Sequence, residues 1–390
     1  MKVILLIPSL RGHGAERVVS ELSLNFPSEV ERVIVLFEQQ IAYPYKGKLI
    51  SLNCPASKNF FIKILHFLKR FFQFKKILKK ESPDWTISFL ETANLINVLS
   101  TKRAIISTRT LLSDVCKGFY GKIYGVLVKV LYNKAARIIV VSETVKDDLI
   151  KNFWVKKEKI EVIYNPIDVK KIQKLAQEEV QHPWFKEKTP IVISSGRLVK
   201  AKGQWHLIRA FLEVRKQIPC RLVILGEGEL RKYLEKLARE LNLESDVLFL
   251  GWQKNPFKFL AKSDIFVLTS LREGFPNALV EAMTCGLPVI SSDCRSGPRE
   301  ILAPNTNPNY QTKDVEYSDY GILTPICDGR FYQADHLPAR EEMILANIII
   351  EILKDKDLKS KYEKVSLERV NTFNVEKIIN HWLMILKRQF

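Results

Sequence analysis

Between residues 268 and 283 the chain reads Leu268-Thr-Ser-Leu-Arg-Glu273-Gly-Phe-Pro276-Asn-Ala-Leu-Val-Glu281-Ala-Met283. The apolar run Ile265–Leu268 predicts a buried strand, and a tight turn around Glu273 follows it. A helix is expected to open at Pro276, with Glu281 about two turns inside it. A strand, a turn and a helix in this order are typical of a crossover in a parallel sheet.

This segment predicts two carboxylates beside the N-terminus of a helix. The free backbone N–H groups of a first helical turn, together with the helix dipole, attract anions and phosphate above all. A carboxylate is a poor ligand for phosphate, but it accepts hydrogen bonds from hydroxyl groups. The expected ligand therefore has phosphate in its middle and hydroxyls at both ends, as a nucleotide sugar does. Two ordinary exposed glutamates at a helix end are the alternative.

The Glu273-x7-Glu281 spacing resembles the signature of the retaining family 4 glycosyltransferases. The resemblance implies the GT-B fold, in which two α/β, Rossmann-like domains with doubly wound parallel sheets face each other across a cleft. It implies that Glu273 orients the donor sugar and that Glu281 holds the ribose. Backbone groups between them would bind the diphosphate, and these belong to Gly274, Phe275, Pro276, Asn277, Ala278 and Leu279.

A second motif, Gly196-Arg197-Leu-Val-Lys200-Ala-Lys202-Gly203, follows the predicted strand Ile191–Ser195. Ligands of open α/β sheets bind at the carboxyl ends of strands, where this motif lies. It is similar to the family's Gly-Arg…Lys-Gly motif, whose two cations clamp the donor diphosphate. Arg197 and Lys202 would then join Glu273 as catalytic residues and neutralise the leaving diphosphate without a metal. Two ordinary surface cations are the alternative.

Further donor contacts are implied by three turns that resemble family motifs. Gly226-Glu-Gly228 resembles the turn that lines the nucleotide cleft, although a plain strand-to-helix turn fits equally. Gln253 lies in a turn whose backbone often contacts the base in relatives, whereas the neighbouring Trp252 is as consistent with packing. Gly14 belongs to the loop Gly12-His13-Gly14-Ala-Glu-Arg17, which lies near the donor phosphate and the acceptor in relatives.

The acceptor side of the site is expected in the N-terminal half. The same loop contributes Gly12 and His13, the latter either a proton relay or an exposed turn residue. The segment Ser88-Phe-Leu-Glu91-Thr-Ala-Asn94 resembles one found in enzymes that extend lipid-linked glycans, and it adds Glu91 and Asn94. Arg109 stands where relatives carry histidine or arginine, so that a histidine-based role is in doubt. Arg109 suits an acceptor phosphate, or it is a structural cation.

The segment Lys58–Lys80 contains eight cations, six phenylalanines and no acid. One face of this predicted helix must pack on the sheet, because the helix leads directly into the strand Trp85–Phe89. The remaining lysines and phenylalanines are typical of a helix that lies on an anionic membrane surface. A solvated basic face over the sheet is the alternative. The segment Phe119–Tyr132 has a similar character.

Apolar runs alternate with helical patterns along all 390 residues, which predicts two doubly wound domains. We expect an N-terminal domain at residues 1–168, a C-terminal nucleotide-sugar domain at 169–373, and a helix at 374–390 that crosses back. Residues 303–320 are interpreted as a polar loop. The predicted strands are Val3–Ile7, Val33–Phe37, Leu49–Leu52, Trp85–Phe89, Ala104–Thr108, Ile138–Ser142, Ile160–Tyr164, Ile191–Ser195, Cys220–Leu225, Val247–Leu250, Ile265–Leu268, Pro288–Ser291 and Gly321–Leu323.

Charge, hydropathy and cysteine content indicate where in the cell this protein is expected. The net charge is +18, of which residues 1–168 carry +12, and this favours an anionic or membrane-surface partner for the first half unless the lysines are merely solvated. No apolar run approaches a membrane span, and the short first run is a strand rather than a secretion signal. Six scattered cysteines indicate a reducing compartment. The expected place is the cytoplasmic, inner face of the cell membrane.

Together these features predict a metal-independent, retaining glycosyltransferase without a cofactor. The expected donor is a UDP-sugar carrying a hexose or N-acetylhexosamine, and the expected acceptor is a lipid-linked saccharide. The histidines lack the spacing of metal ligands, and no nucleic-acid-binding signature is present. A GT-B epimerase or phosphorylase is a second hypothesis, and a non-enzymatic basic protein that binds membranes is a third.

Overall fold

A computed structural model describes residues 1–12, 14–57 and 59–388, except for the side chains of Phe60, Phe119 and Tyr120. The chain divides into two compact units. Unit 1 comprises Met1–Pro166 and Phe373–Phe390, and unit 2 comprises Ile167–Thr372. The predicted boundaries, after residues 168 and 373, differ from these by two residues and one residue.

Unit 1 is built on a parallel sheet with the strand order β3-β2-β1-β4-β5-β6-β7. Its central strand has no exposed side chain from Val3 to Ile7, as expected for a strand covered on both faces. The strands are β1 (Lys2–Ile7), β2 (Glu31–Leu36), β3 (Lys48–Ser51), β4 (Trp85–Phe89), β5 (Ala104–Thr108), β6 (Arg137–Val140) and β7 (Ile160–Val162).

Helices cover both faces of this sheet. They are α1 (Gly14–Asn25), α2 (Phe60–Glu81), α3 (Glu91–Ser100), α4 (Leu112–Val115), α5 (Gly118–Leu131), α6 (Glu143–Phe153) and, from the end of the chain, α15 (Val375–Lys387). On α15, Trp382 is buried with its ring centroid 6.2 Å from that of Phe89. The indole of Trp85 donates a 2.9 Å hydrogen bond to the carbonyl of Leu386. The C-terminal helix therefore completes the core of unit 1.

Unit 2 contains a sheet with the strand order β10-β9-β8-β11-β12-β14-β13. Its strands are β8 (Ile191–Ser195), β9 (Arg221–Leu225), β10 (Val247–Gly251), β11 (Ile265–Leu268), β12 (Val289–Ser292), β13 (Glu316–Ser318) and β14 (Gly321–Thr324). Six strands are parallel, and β13 pairs antiparallel with β14 at the edge. The prediction of a loop throughout residues 303–320 is therefore wrong for β13, whose sequence Glu-Tyr-Ser has no apolar run.

The helices of unit 2 enclose its core, in which Trp205, Phe211 and Tyr362 are fully buried. They are α7 (Val169–Ala176), α8 (Gln204–Gln217), α9 (Arg231–Glu240), α10 (Phe257–Leu260), α11 (Asn277–Thr284), α12 (Pro298–Leu302), α13 (Arg340–Lys354) and α14 (Lys356–Arg369). In the described part of the chain, no helix is both long and apolar enough to cross a membrane.

The strand order reverses once in each sheet, between β1 and β4 in unit 1 and between β8 and β11 in unit 2. The loops that leave the carboxyl ends of these neighbouring strands run in opposite directions and open a crevice, where doubly wound sheets bind ligands. We call these places the unit 1 edge (residues 9–12, 14, 89–94 and 107–109) and the unit 2 edge (residues 196–203 and 269–281).

Candidate active site

The unit 2 edge brings together the two most informative side chains of the sequence. Lys202, which follows β8, forms an ion pair with Glu273, which follows β11, and Nζ bonds directly to Oε1. The hydroxyl of Ser270 donates a 2.6 Å hydrogen bond to the same carboxylate oxygen. The side chain of Glu273 is 10% exposed to solvent, and that of Lys202 is 22% exposed. This ion pair spans the crevice at the point where the strand order reverses.

A close backbone approach holds the two loops of this edge together. Gly203 has φ +62°, and a Cβ there would lie 2.4 Å from the carbonyl oxygen of Thr269, so only glycine fits. The N–H of Leu271 donates a 2.9 Å bond to the carbonyl of Ala201. The hydroxyl of Thr269 donates a 3.2 Å bond to the carbonyl of Lys202. The glycine in the Lys-Gly motif is therefore the residue that allows Lys202 to reach Glu273.

The predicted glycines after β8 and β9 pack loop against loop. Gly226 has φ +131°, and a Cβ there would lie 2.0 Å from the carbonyl oxygen of Gly196. A Cβ on Gly228 would lie 2.3 Å from the carbonyl oxygen of Leu198. The N–H of Gly226 also donates a 2.8 Å bond to the carbonyl of Gly251. These glycines fix the path of the Arg197 loop, a structural role that exists whether or not they contact a ligand.

Glu281 lies about one helical turn into α11, because the helix opens at Asn277, and not two turns as predicted. It is 6% exposed, so the alternative of an ordinary exposed glutamate does not hold for it. Leu279 and Phe275 belong to the buried core, and only their backbone is a candidate for ligand contact. Gly274 and Pro276 are also buried, whereas Asn277 and Ala278 are half-buried.

A third loop supports this turn and was missed in the sequence. Ser296 donates a 2.7 Å hydrogen bond from its hydroxyl to the carbonyl of Gly274. Gly297 has φ +93°, and a Cβ there would lie 2.5 Å from Cδ of Pro276. The loop after β12 therefore braces the loop after β11. A turn signal was present, since Ser296-Gly297-Pro298 combines three residue types that favour turns and lies four residues after the end of β12.

The unit 2 edge carries an excess of positive charge. Arg197 and Lys200 are exposed, and Lys200 Nζ lies 5.4 Å from the ring centroid of Phe331. Arg272, in the loop after β11, is exposed as well, and so is Arg295 in the neighbouring loop after β12. In the described ranges, Arg197, Arg272 and Arg295 have no recorded ion-pair partner. An anion with two or more charges fits such an edge.

Gln253 and Trp252 differ in their surroundings. The side-chain amide of Gln253 donates a 2.7 Å bond to the carbonyl of Leu250, three residues before it. The backbone of this turn is thereby held in a fixed conformation. Trp252 is 59% exposed, which does not support a packing role within unit 2.

In unit 1, a buried carboxylate shapes the glycine loop after β1. Glu16 is 3% exposed and accepts a 2.8 Å bond from the N–H of Gly12 and a 2.7 Å bond from the hydroxyl of Ser9. Gly12 has φ +119°, in the left-handed region that favours glycine. Gly14 begins α1, while the predicted site residue His13 lies outside the described residues.

Glu91 and Asn94 lie at the start of α3 in different environments. Burial raises the pKa of Glu91, while a hydrogen bond from its own backbone N–H opposes the shift. Asn94 is 1% exposed, accepts a 2.8 Å bond from Ser88 Oγ and donates a 2.9 Å bond to the carbonyl of Ser107. The amide of Asn94 thus joins β4 to β5 and does not face solvent, in contrast to the acceptor contact that we predicted for it.

Arg109 follows β5 directly. Its guanidinium carbon lies 5.4 Å from the ring centroid of Phe89, and its Nη2 is buried without a hydrogen-bond partner. Burial lowers the pKa of Arg109 to about 9. As a residue Arg109 is half-buried, and none of the described carbonyls or carboxylates accepts a hydrogen bond from its Nη2.

Helix α2 presents apolar and basic side chains to solvent. Phe61, Leu65 and Phe72 are between 59% and 75% exposed, while Phe74 on the opposite face is fully buried in the core. Of its cations, Arg70 is buried and donates to the carbonyls of Cys54 and Pro55, so it is structural. Lys58, the first residue of the predicted segment, lies outside the described residues.

Helix α5 presents a second exposed apolar face. Val126 and Val130 are 60% and 58% exposed. Trp154, which follows α6, is 71% exposed and lies close to α5, since Lys129 Nζ is 4.1 Å from the centroid of its ring. Single exposed apolar residues are common, but clusters on a basic surface are not. The described residues of unit 1 therefore contain two helices, α2 and α5, whose exposed apolar side chains are suited to contact a membrane surface or a partner.

Metal ligands are a further question for this site. Within residues 1–12, 14–57 and 59–388, no group of three or more His, Cys, Asp and Glu side chains is arranged to hold a metal ion. All six cysteines carry free thiols.

Two family profiles match the chain. Glycosyltransferase Family 4 matches residues 12–171, and Glycosyl transferases group 1 matches residues 176–313. An uncharacterized glycosyltransferase of Methanocaldococcus jannaschii is 37% identical over 361 residues, which cover 88% of each chain. The chain belongs to the family 4 glycosyltransferases. The hypothesis of a non-enzymatic protein is therefore wrong.

Other relatives of this glycosyltransferase agree with the assignment. The N-acetylgalactosamine-N,N'-diacetylbacillosaminyl-diphospho-undecaprenol 4-alpha-N-acetylgalactosaminyltransferase of Campylobacter jejuni is 32% identical over 85% of this chain and 92% of its own. The crystal structure of Anabaena HepE in complex with UDP and glucose has a TM-score of 0.75 at 19% identity, with 99% of each chain covered. The crystal structure of WaaG, a glycosyltransferase involved in lipopolysaccharide biosynthesis, has a TM-score of 0.73 at 15% identity. The match covers 99% of this chain and 100% of the WaaG chain. These structures confirm the GT-B fold.

Proposed function

We propose that this family 4 glycosyltransferase moves a hexose or N-acetylhexosamine from a UDP-sugar to a lipid-linked saccharide, with retention of configuration and without a metal. The observation that carries the proposal is the Lys202–Glu273 ion pair across the crevice of unit 2. It places a cation for phosphate and an acceptor for hydroxyls in direct contact. A sugar diphosphate presents the same two groups on either side of one glycosidic oxygen.

The donor is proposed to bind at the unit 2 edge. Glu273 would accept hydrogen bonds from hydroxyls of the sugar, and Glu281 from those of the ribose. Arg197 and Lys202 would bind the diphosphate together with backbone N–H groups of residues 274, 275, 277 and 278. The unpaired cations of this edge support this placement, and the HepE complex supports UDP as the nucleotide.

The chemical step that we propose breaks the bond between the anomeric carbon and the diphosphate oxygen. Arg197 and Lys202 would stabilise the charge that develops on this oxygen, as preorganised cations do. The acceptor hydroxyl would attack from the same face, forming the new glycosidic bond and giving its proton to the departing phosphate. No metal is needed in this scheme, because the two side chains supply its positive charge.

The acceptor is proposed to bind at the unit 1 edge, near Gly12, Glu91 and Arg109. The relative from C. jejuni acts, by its name, on a saccharide linked to diphospho-undecaprenol. A second C. jejuni relative, 25% identical over 99% of this chain, acts by its name on a saccharide linked to PP-undecaprenol. A lipid diphosphate saccharide is therefore the acceptor class that we propose. These names give no support to an epimerase or a phosphorylase.

A lipid-linked acceptor requires contact with a membrane. We propose that α2 and α5 bind the anionic, cytoplasmic face of the cell membrane. Their exposed apolar side chains would enter the headgroup region, and the exposed lysines of α2 would lie near lipid phosphates.

The experiment that tests the function is a transfer assay with UDP-, GDP- and ADP-sugars in the presence of EDTA. A lipid extract of the native membrane serves as the acceptor, and NMR of the product gives the anomeric configuration. The proposal predicts transfer from a UDP-sugar into the lipid phase with retention. Donor hydrolysis without a lipid product, or transfer that stops with EDTA, would contradict it.

A further inference from the structure

The carboxyl end of β5 holds a cation, Arg109, for which the described residues of unit 1 supply no counterion. Nη2 of Arg109 is buried and makes no hydrogen bond, and the guanidinium packs on the face of the Phe89 ring. In the described part of the chain, Arg109 has no recorded ion pair. Arg109 as a residue is half-buried, and a guanidinium N–H removed from water without an acceptor is unfavourable, so proteins rarely keep one unless a ligand pairs with it.

A second buried donor lies on the same side of the strand. Ser107 is fully buried, and its Oγ has no hydrogen-bond partner among the described residues. Ser107 pairs with Phe89 across β5 and β4, so that their side chains project to the same face of the sheet, and the guanidinium of Arg109 lies over the Phe89 ring on that face. A hydroxyl and a guanidinium, both able to donate, are thus left without an acceptor at one strand end.

The neighbouring groups do not supply the missing negative charge. Burial alone lowers the pKa of Arg109, and no nearby carboxylate opposes the shift. The carboxylate of Glu91 takes a hydrogen bond from its own backbone N–H. Tyr124 and Tyr132 hydrogen-bond to each other at 2.9 Å, and burial raises the pKa of both phenols, so they stay neutral. The negative charge must come with a ligand.

We propose that Arg109 and Ser107 form an anion subsite that binds the phosphate next to the acceptor saccharide. This inference rests on the proposed function, from which it takes the lipid diphosphate acceptor. A guanidinium donates two parallel hydrogen bonds to a phosphate, which gives orientation as well as affinity. The subsite would fix the distance from the diphosphate to the reacting hydroxyl and would discriminate against glycans that lack the phosphate.

The first experiment measures the anion subsite without any acceptor. Inorganic pyrophosphate is titrated by calorimetry into the full chain carrying Arg197→Ala and Lys202→Ala, which removes the donor cations. Adding Arg109→Gln should weaken the remaining binding about 10- to 100-fold, and Arg109→Lys should weaken it less because the charge is kept. The matched control is Arg103→Gln at the opposite end of β5, which should leave the affinity unchanged. Equal pyrophosphate affinity with and without Arg109→Gln would overturn the inference.

The second experiment identifies the source of the phosphate. Arg109→Gln in the otherwise native enzyme should raise KM for the lipid acceptor at least about tenfold and leave the Kd for UDP unchanged. A weaker affinity for UDP would assign the anion to the donor and overturn the acceptor subsite. A KM that rises only when the lysines of α2 are replaced would overturn it too. If the native enzyme transfers nothing to lipid, the proposed function fails, whereas the pyrophosphate titration still tests the subsite.

Discussion

Replacing Glu273 with Gln removes the negative charge beside Lys202 and keeps the size of the side chain. Gln retains one carbonyl oxygen, which is able to accept the bond from Ser270 Oγ. The turn should therefore keep its conformation, at a stability cost of about 1 kcal/mol. The substitution tests charge and hydrogen bonding with little change in shape.

The structure gives two magnitudes for this variant. A hydrogen bond to a charged acceptor contributes about 1.5–3 kcal/mol, so transfer should fall roughly 10- to 150-fold. Lys202, which is 22% exposed in its side chain, loses its intramolecular partner. A partly exposed ion pair contributes no more than about 1 kcal/mol. UDP should therefore bind as tightly as before, or up to about fivefold tighter.

The assay compares kcat for transfer with the Kd for UDP in the native enzyme and the variant. The exposed Glu244 provides the control Glu244→Gln, which should change neither quantity. A parallel loss of UDP affinity and turnover would show that Glu273 only holds the loops in place. Unchanged turnover would remove Glu273 from the site.

Three further predictions concern the cations and one glycine. Arg197→Ala with Lys202→Ala should abolish transfer, and Mg²⁺ or Mn²⁺ should not restore it; full activity, or rescue by either ion, would refute the diphosphate clamp. Gly203→Ala should lower transfer activity and reduce Tm by several °C, because the new Cβ would collide with the carbonyl of Thr269. A fully active and equally stable variant would show that the loops after β8 and β11 need not approach closely. Replacing four exposed lysines of α2 by Gln (Lys63, Lys69, Lys75 and Lys76) should weaken binding to anionic liposomes at least about tenfold. Four exposed lysines chosen from unit 2 (Lys232, Lys236, Lys313 and Lys356) serve as the control, and equal sedimentation of the α2 variant and the native protein would limit α2 to covering the sheet.

The parallel sheets were predictable because their strands are short apolar runs between turn residues. All thirteen predicted strands are present, and β4, β5, β8 and β11 have the predicted bounds. The exception, β13, is an edge strand whose pairing with β14 depends on the neighbouring chain and not on its own composition. The start of α11 was predicted to within one residue, but the depth of Glu281 was misjudged, because the residues from Asn277 to Glu281 span about one turn and not two.

The contacts within the site were harder to predict from the sequence than the strands were. Lys202 and Glu273 are 71 residues apart, and only the adjacency of β8 and β11 brings them into contact. The burial of Arg70 and Asn94 depends on carbonyls of other segments, which a pattern of residue types does not specify. Likewise, the missing counterion of Arg109 is visible only once its neighbours are placed.

The central claim is that the unit 2 edge binds the nucleotide-sugar donor, and hydrogen–deuterium exchange with and without a UDP-sugar tests it most directly. Donor binding should slow the exchange of backbone amides in residues 196–203 and 269–281, and Lys202→Ala with Glu273→Gln should reduce this protection. Saturating donor that leaves both segments unprotected, or that protects other segments of unit 2 in their place, would contradict the account.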